Sequence, residues 1–232
     1  IERYRVPPDS FANFAVNAHA NARGNPYALF NDDEVSAVDV LASRFVFWPL
    51  RLYDCSPICD GAAAVELAAS HRVQAKNPVR LLASSAATDR FRIADRPDPL
   101  RLDAATLAFR QALSQAGITQ GQIDFYEVHD AFSIMACMLL EALGLAEPGT
   151  GWRLAASGAI RRDGPYPIST LGGLKARGHP IGATALYQAC EIVQQLTGCA
   201  GVGQLARARI GLLQSVGGAG TTVLSHIFGA GE

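Results

Sequence analysis

The stretch Leu171–Gly198, LGGLKARGHPIGATALYQACEIVQQLTG, carries two patterns at once. In its second half Gly182, Leu186, Ala189, Val193 and Leu196 recur at three- and four-residue steps, the period of one buried helical face. Pro180 suits the first helical position and Gly198 the residue just past the last. That spacing puts His179 at the N-cap, among Gly172, Gly173, Gly178 and Gly182. Glycines let a backbone or ligand approach closely, and the free N–H groups of a helix start favour negative charge. The positive end of the helix dipole opposes protonation, so such a histidine stays neutral and can take a proton or donate a hydrogen bond. Spacing alone fits equally well a glycine-rich helix start whose histidine is only a solvated cap.

On the C-terminal side, Arg209–Ser215 and Thr221–Phe228 read as strands joined through Gly217-Gly218-Ala219-Gly220. A turn that short makes them antiparallel neighbours. On the N-terminal side, residues 147–170 show no clear period and read as loop. The apolar run Ile134–Leu143, stopped by Gly144, predicts a helix buried on nearly all sides. Ile123–Val128 is a strand that delivers His129 at its C-terminal end, and Asp130 is expected to cap the helix after it. Asp103 is expected to cap a helix ending at Ala116, with Gly117 as its stop and Val79–Ser85 as the preceding strand. Strands alternating with helices predict an α/β layered sheet with one antiparallel hairpin. Ligands in such sheets gather at the carboxyl ends of strands and at helix starts, where His129, His179 and Gly217 all fall. Taken alone, His129 reads equally as a structural histidine bonded to a backbone carbonyl.

Further upstream, Asp9 or Ser10 can cap a helix to about Arg23, with Phe11, Phe14, Ala15 and Ala18 on one face and His19 on the polar side, at the surface. A short helix is expected from Glu34 to Ser43, and Ala62–Ala69 as a buried strand or tightly packed element. Lys76-Asn77-Pro78 reads as a linker, dividing the chain into 1–78 and 79–232. The 232 residues are 49% hydrophobic and 18% charged, an ordinary globular composition. Lys plus Arg (20) nearly balances Asp plus Glu (21), so no broad basic surface points to nucleic acid. No apolar run approaches membrane-span length and no signal-peptide pattern is read at the start, so neither a span nor a leader is expected. Five cysteines without metal-ligand spacing predict no metal, and Cys137 and Cys190 sit in apolar patterns as small buried thiols, which fits a reducing cytoplasm. A chain beginning at Ile1 suggests a processed or truncated product.

Three ordered segments carry a resemblance. Tyr126-Glu-Val-His-Asp-Ala-Phe132, Gly172-Gly-Leu-Lys-Ala-Arg-Gly-His-Pro-Ile-Gly-Ala-Thr184 and Ser215-Val-Gly-Gly-Ala-Gly220 resemble the motifs of the thiolase superfamily. The likeness is to the branch of the sterol-carrier-protein-associated thiolases and archaeal acetyl-CoA acetyltransferases, where the middle motif reads His-Asp-x-Phe. The resemblance implies a thiolase-like layered α/β fold with a mixed sheet, packed helices and one half incomplete. Residues 1–78 would be the end of the loop region and the remainder of the first half, and 79–232 the C-terminal half. It implies acyl-CoA as substrate, a coenzyme A thioester, with a second copy or a complementary subunit as partner.

In thiolase chemistry a cysteine is acylated by the thioester, and developing oxyanions need preorganised donors. The resemblance implies that His179 activates the nucleophile and helps hold the thioester oxygen. It implies that His129 completes that oxyanion site and that the Gly217 N–H serves the second one, with Gly172, Gly173, Ser215 and Gly218 lining the substrate. Two departures stand out. The branch often has a proton-transferring thiol directly after His-Asp, where this chain has Ala131; other thiolases place it near the C-terminus, where this chain has Ser215. A serine hydroxyl is a far weaker acid than a thiol. The family's nucleophilic cysteine lies upstream of the residues present, and none of the five cysteines has its context. Three readings remain open: the C-terminal portion of a thiolase-like acyltransferase, a thiolase-fold retro-aldol lyase, or a non-catalytic subunit that binds acyl-CoA or a partner.

Overall fold

The structure, a computed structural model, describes residues 1–73 and 77–231; of the expected linker, Lys76 lies outside the described residues. Helices α1 (Ala12–Ala22) and α2 (Ala37–Ala42) precede a small hairpin, β1 (Phe45–Phe47) and β2 (Leu50–Arg51). Then come β3 (Val79–Thr88), α3 (Asp103–Ala116), β4 (Phe125–Val128), α4 (Ser133–Ala142), α5 (Trp152–Ala156), α6 (Thr184–Thr197), β5 (Ile210–Gly217) and β6 (Thr222–Ala230). The main sheet has the order β3-β6-β5-β4. β6 runs antiparallel to both of its neighbours, and β4 runs parallel to β5.

Both faces of the sheet are covered, as the two-residue period of its strands dictates. Tyr126, Val128, Leu212, Val216, Val223 and Ile227 point to one face and pack with Ala105, Ala108 and Phe109 of α3 and Leu139 and Leu140 of α4. Gln214 lies among them and donates to the Ala105 carbonyl at 3.1 Å and to Ser225 Oγ at 3.0 Å, so a polar residue in mid-sheet ties α3 down. Phe125 and Leu213 point the other way, against Ala189, Ile192 and Leu196 of α6. Each large apolar side chain so buried contributes roughly 1.5–3 kcal/mol. Helices α3 and α6 both end at a left-handed glycine, Gly117 and Gly198.

Several expectations change. Residues 147–170 are not all loop, since α5 lies within them. Asp103 stands in the first turn of α3 without making a side-chain cap. The segment Ala62–Ala69 is irregular and mostly exposed rather than a buried strand, with Leu67 77% exposed. His19 is buried, not at the surface: its ring lies 5.3 Å from that of Phe30 and 5.5 Å from that of Tyr53. Helix α6 begins at Thr184, so His179 is not its N-cap. The buried face of α6 is the expected one only in part: Ala189 and Leu196 are buried, but other positions differ. Leu186 is 40% exposed, and Thr184, Gln188, Glu191, Ile192 and Gln195 point inward.

Candidate active site

The parallel register of β4 and β5 brings their carboxyl ends to one edge. Val128 pairs with Gln214, so His129 leaves the sheet beside Ser215. The next segment to reach this edge comes from far along the chain. The Tyr126 N–H donates to the Pro167 carbonyl and the Ser169 N–H to the Tyr126 carbonyl, which lays residues 167–169 against β4. Asparagines at four-residue spacing hold that segment in place: Asn21 donates to the carbonyls of Ile168 and Ser169, both at 3.1 Å, and Asn25 to that of Leu171 at 2.8 Å. Ala18, Ala22 and Ala28 pack with Ala176, and these small side chains let α1 approach the stretch after Leu171 closely.

That stretch is one π-helical turn, Gly173–Arg177. Asp130 caps this turn and not helix α4: its Oδ1 accepts from the Leu174 N–H at 2.7 Å, and α4 has no side-chain cap. Lys175, 2% exposed, donates to the carbonyls of Asp130 at 2.9 Å and Asp54 at 3.1 Å. Gly178 has φ +117°, a conformation that an L side chain rarely adopts, and a Cβ there would meet Cys59 Sγ at 2.8 Å. The chain then presents His179, whose N–H donates to the Pro57 carbonyl at 2.9 Å. Segment 55–58 also touches the His129 side, since the Ser56 N–H donates to the Ala131 carbonyl at 2.8 Å and Cys55 bridges to Phe132.

The outcome is a pair. The His129 and His179 rings stand edge to face with centroids 5.3 Å apart and planes at 85°. His179 Nδ1 lies 2.7 Å from Thr184 Oγ1. His129 Nδ1 is buried with no partner. Burial pushes the His129 pKa down to about 4, helped by the neighbouring His179, Arg177 and Lys175. Burial also lowers that of His179, with Asp130 opposing and Arg177 assisting. In both rings burial is the main influence, and it favours the neutral form.

Beneath the pair lies a polar layer between β4 and α6. Glu127, on the face of β4 turned to α6, accepts from the Thr170 N–H at 2.9 Å and its hydroxyl at 2.7 Å. Gln195 donates to Thr170 Oγ1 at 3.1 Å. Gln188 donates to the carbonyls of Glu127 and Val128, both at 3.0 Å. Arg177 meets Glu191 at 2.9 Å as a charge contact without an aligned hydrogen bond, and its guanidinium lies 4.7 Å from the Tyr187 ring centroid. Burial, then the Glu191 charge, pushes Glu127 up to about 8; burial raises Glu191 too, against the pull of Arg177.

The other residues singled out in the sequence land differently. Ser215 is half-buried near the carboxyl end of β5, whereas Gly217, the last residue of β5, and Gly218, in the turn to β6, are exposed. Gly172 and Gly173 are buried, and the room a Cβ would take is filled by Ala22 in the first case and by Asp130 and Ser169 in the second. Sequence reasoning misses Thr184, Gln188, Glu191 and Gln195. Their signal is present, as polar residues at steps of four, three and four that face inward. Among the described residues, no group of three His, Cys, Asp or Glu is placed to hold a metal ion, and no helix is long and apolar enough to cross a membrane.

A layered α/β sheet with a histidine pair at its carboxyl edge narrows the class of protein, and comparison with known proteins narrows it further. Residues 85–230 match the family model described as "Thiolase C-terminal domain-like", and the chain belongs to that family. It is 44% identical to an acetyl-CoA acetyltransferase of Methanothermobacter thermautotrophicus over 97% of its own length and 59% of that protein's. It is 34% identical to human sterol carrier protein 2 over 97% of its own length and 42% of that protein's. The chain thus spans 59% and 42% of these two relatives. The solved "Ltp2-ChsH2(DUF35) aldolase" shares its fold at a TM-score of 0.85 and 20% identity, covering 99% of this chain and 60% of that one.

Proposed function

We propose that this chain is the C-terminal portion of a thiolase-like acyl-CoA C-acyltransferase that makes or breaks a carbon–carbon bond on a coenzyme A thioester. The observation that carries the reading is the neutral His129–His179 pair, 5.3 Å between ring centroids, at the carboxyl edge of the sheet. In this reading His179 takes the proton of the cysteine nucleophile and, with His129, holds the oxyanion formed from the thioester. The Gly217 N–H serves the second oxyanion, Ser215 and Gly218 line the substrate, and Gly172 and Gly173 let the turn before His179 pack closely. Residues 1–78 would finish a first half whose cysteine completes the site, and 79–232 would form the second half. Acyl-CoA is then the small-molecule partner, with a second copy or a complementary chain beside it.

Ala131, where a relay thiol is expected, favours retro-aldol cleavage as the second reading, because that reaction needs no cysteine relay. A cysteine-dependent burst of acyl-enzyme separates the two, since only the acyltransferase forms one. The reading itself is tested by His179→Asn in the complete enzyme. Asparagine cannot act as a base near neutral pH, and turnover should fall at least about a hundredfold. Near-normal turnover would end the proposal.

A further inference from the structure

Thr184 is the first residue of α6, and its side chain touches two groups. Oγ1 lies 2.7 Å from His179 Nδ1 and 3.0 Å from the Pro180 carbonyl oxygen. A hydroxyl has one proton to give, and a carbonyl can only accept. Both contacts are hydrogen bonds under one assignment alone: Thr184 donates to Pro180, and the Nδ1–H of His179 donates to Thr184. A neutral imidazole carries one proton, so Nε2 is then bare. Thr184 is 1% exposed, so its hydroxyl is shielded from bulk solvent.

We propose that Thr184 is a positioning residue that holds His179 as the Nδ1–H tautomer, leaving Nε2 as its basic nitrogen. The inference deepens the acyltransferase reading and rests on it for its catalytic meaning. Helix α6 then serves both histidines from one face. Thr184 orients His179, and Gln188, one turn on, donates to the carbonyls of Glu127 and Val128 just ahead of His129. This gives the polar inner face of α6 a purpose that apolar packing cannot supply. A base whose second nitrogen is bonded to a fixed acceptor enters each cycle already in the right form.

The test reads the ring directly. Long-range proton–nitrogen correlation spectra of the ¹⁵N-labelled chain distinguish a protonated from a bare imidazole nitrogen, and His179→Gln identifies the His179 signals by their loss. The expected result at pH 7 is a protonated Nδ1 and a bare Nε2. Thr184→Val removes the acceptor at nearly constant shape and should shift the ring toward the Nε2–H form; Thr184→Ser should restore Nδ1–H. In the complete enzyme Thr184→Val should lower kcat roughly 10- to 100-fold, the range for an outer hydrogen-bond partner of a working histidine, with little change in KM, and Thr184→Ser should recover most of it. An Nε2–H tautomer in the wild type, or no change of tautomer in Thr184→Val, overturns the proposal. If Thr184→Val does not fold, the wild-type spectrum still decides. Failure of the functional reading looks different: the tautomer would be as stated, yet His179→Asn would keep its turnover.

Discussion

The guanidinium of Arg177 and the carboxylate of Glu191 meet at 2.9 Å with side chains 1% and 5% exposed, a fully enclosed ion pair below the two histidines. Removing one partner of such a pair leaves an uncompensated charge in a poorly solvated place. Arg177→Met should therefore destabilise the chain by about 3–5 kcal/mol. Arg177→Met combined with Glu191→Leu should cost less than the worse single change, because neither charge remains. Denaturant titration of the three variants checks this, and strict additivity would show that the two groups do not depend on each other.

Two groups beside this pair give stability opposite slopes with pH. Glu127 rises from 4.5 to about 8 on folding, so the folded chain holds the proton longer. Its contribution is complete below about 4.5 and is lost as the pH climbs through 8. His129 falls from 6.5 to about 4, so its contribution is complete above 6.5 and is lost toward 4. Above 6.5 the His129 slope is spent while the two raised carboxyls, Glu127 and Glu191, still lose their contribution, so stability should decline from there toward pH 8. Glu127→Gln should flatten that decline in a series of melting curves. An unchanged slope would assign it to other groups.

Gly173 has φ +55°, and a Cβ on it would lie 2.5 Å from Asp130 Oδ2 and 2.6 Å from Ser169. Gly173→Ala should cost about 1–3 kcal/mol for the backbone strain alone and should disturb the Asp130–Leu174 bond. Gly182, nine residues on, has open space around it, so Gly182→Ala should stay within about 0.5 kcal/mol of wild type. Equal effects at the two positions would contradict the packing described for the turn.

Between residues 47 and 67 several large apolar groups stand in the open: Phe47 is 79% exposed, Trp48 64%, Ile58 77% and Leu67 77%. Exposed apolar patches and open sheet edges are association sites. The chain purified alone is expected to self-associate or to arrive with a complementary polypeptide, and Phe47→Ser with Leu67→Ser should weaken either. Light scattering from a clean monomer at high concentration, with nothing co-purified, would count against this.

Much of the frame is legible in the sequence, since strand alternation, helix-stopping glycines and the short β5–β6 turn are local signals. The edge location of His129 comes from a strand ending at Val128, and that of His179 from its glycine-rich surroundings. The buried face of α6 escapes a sequence reading for a physical reason. A period count weighs apolar residues, but the layer between β4 and α6 is polar: the Glu127 carboxyl is bonded by Thr170, Gln195 donates to Thr170, Gln188 to the Glu127 and Val128 carbonyls, and Glu191 meets Arg177, so these α6 positions are polar rather than leucine. The burial of His19 escapes it because the cover comes from Phe30 and Tyr53, and no spacing within α1 reports them. Asp130 stands next to α4 in the sequence, while the amide it binds belongs to Leu174, far along the chain.

Backbone bonds from segment 55–58 to both histidine-bearing stretches also have a kinetic meaning. The Ser56 N–H is held by Ala131 and the His179 N–H by Pro57, so neither amide can meet solvent catalyst until that short segment lifts. Native-state hydrogen exchange should therefore find these two amides opening together, with one free energy and one dependence on denaturant, as a single cooperative unit. The two histidines would then share a lifetime as well as a location: whatever peels residues 55–58 away would release both at once.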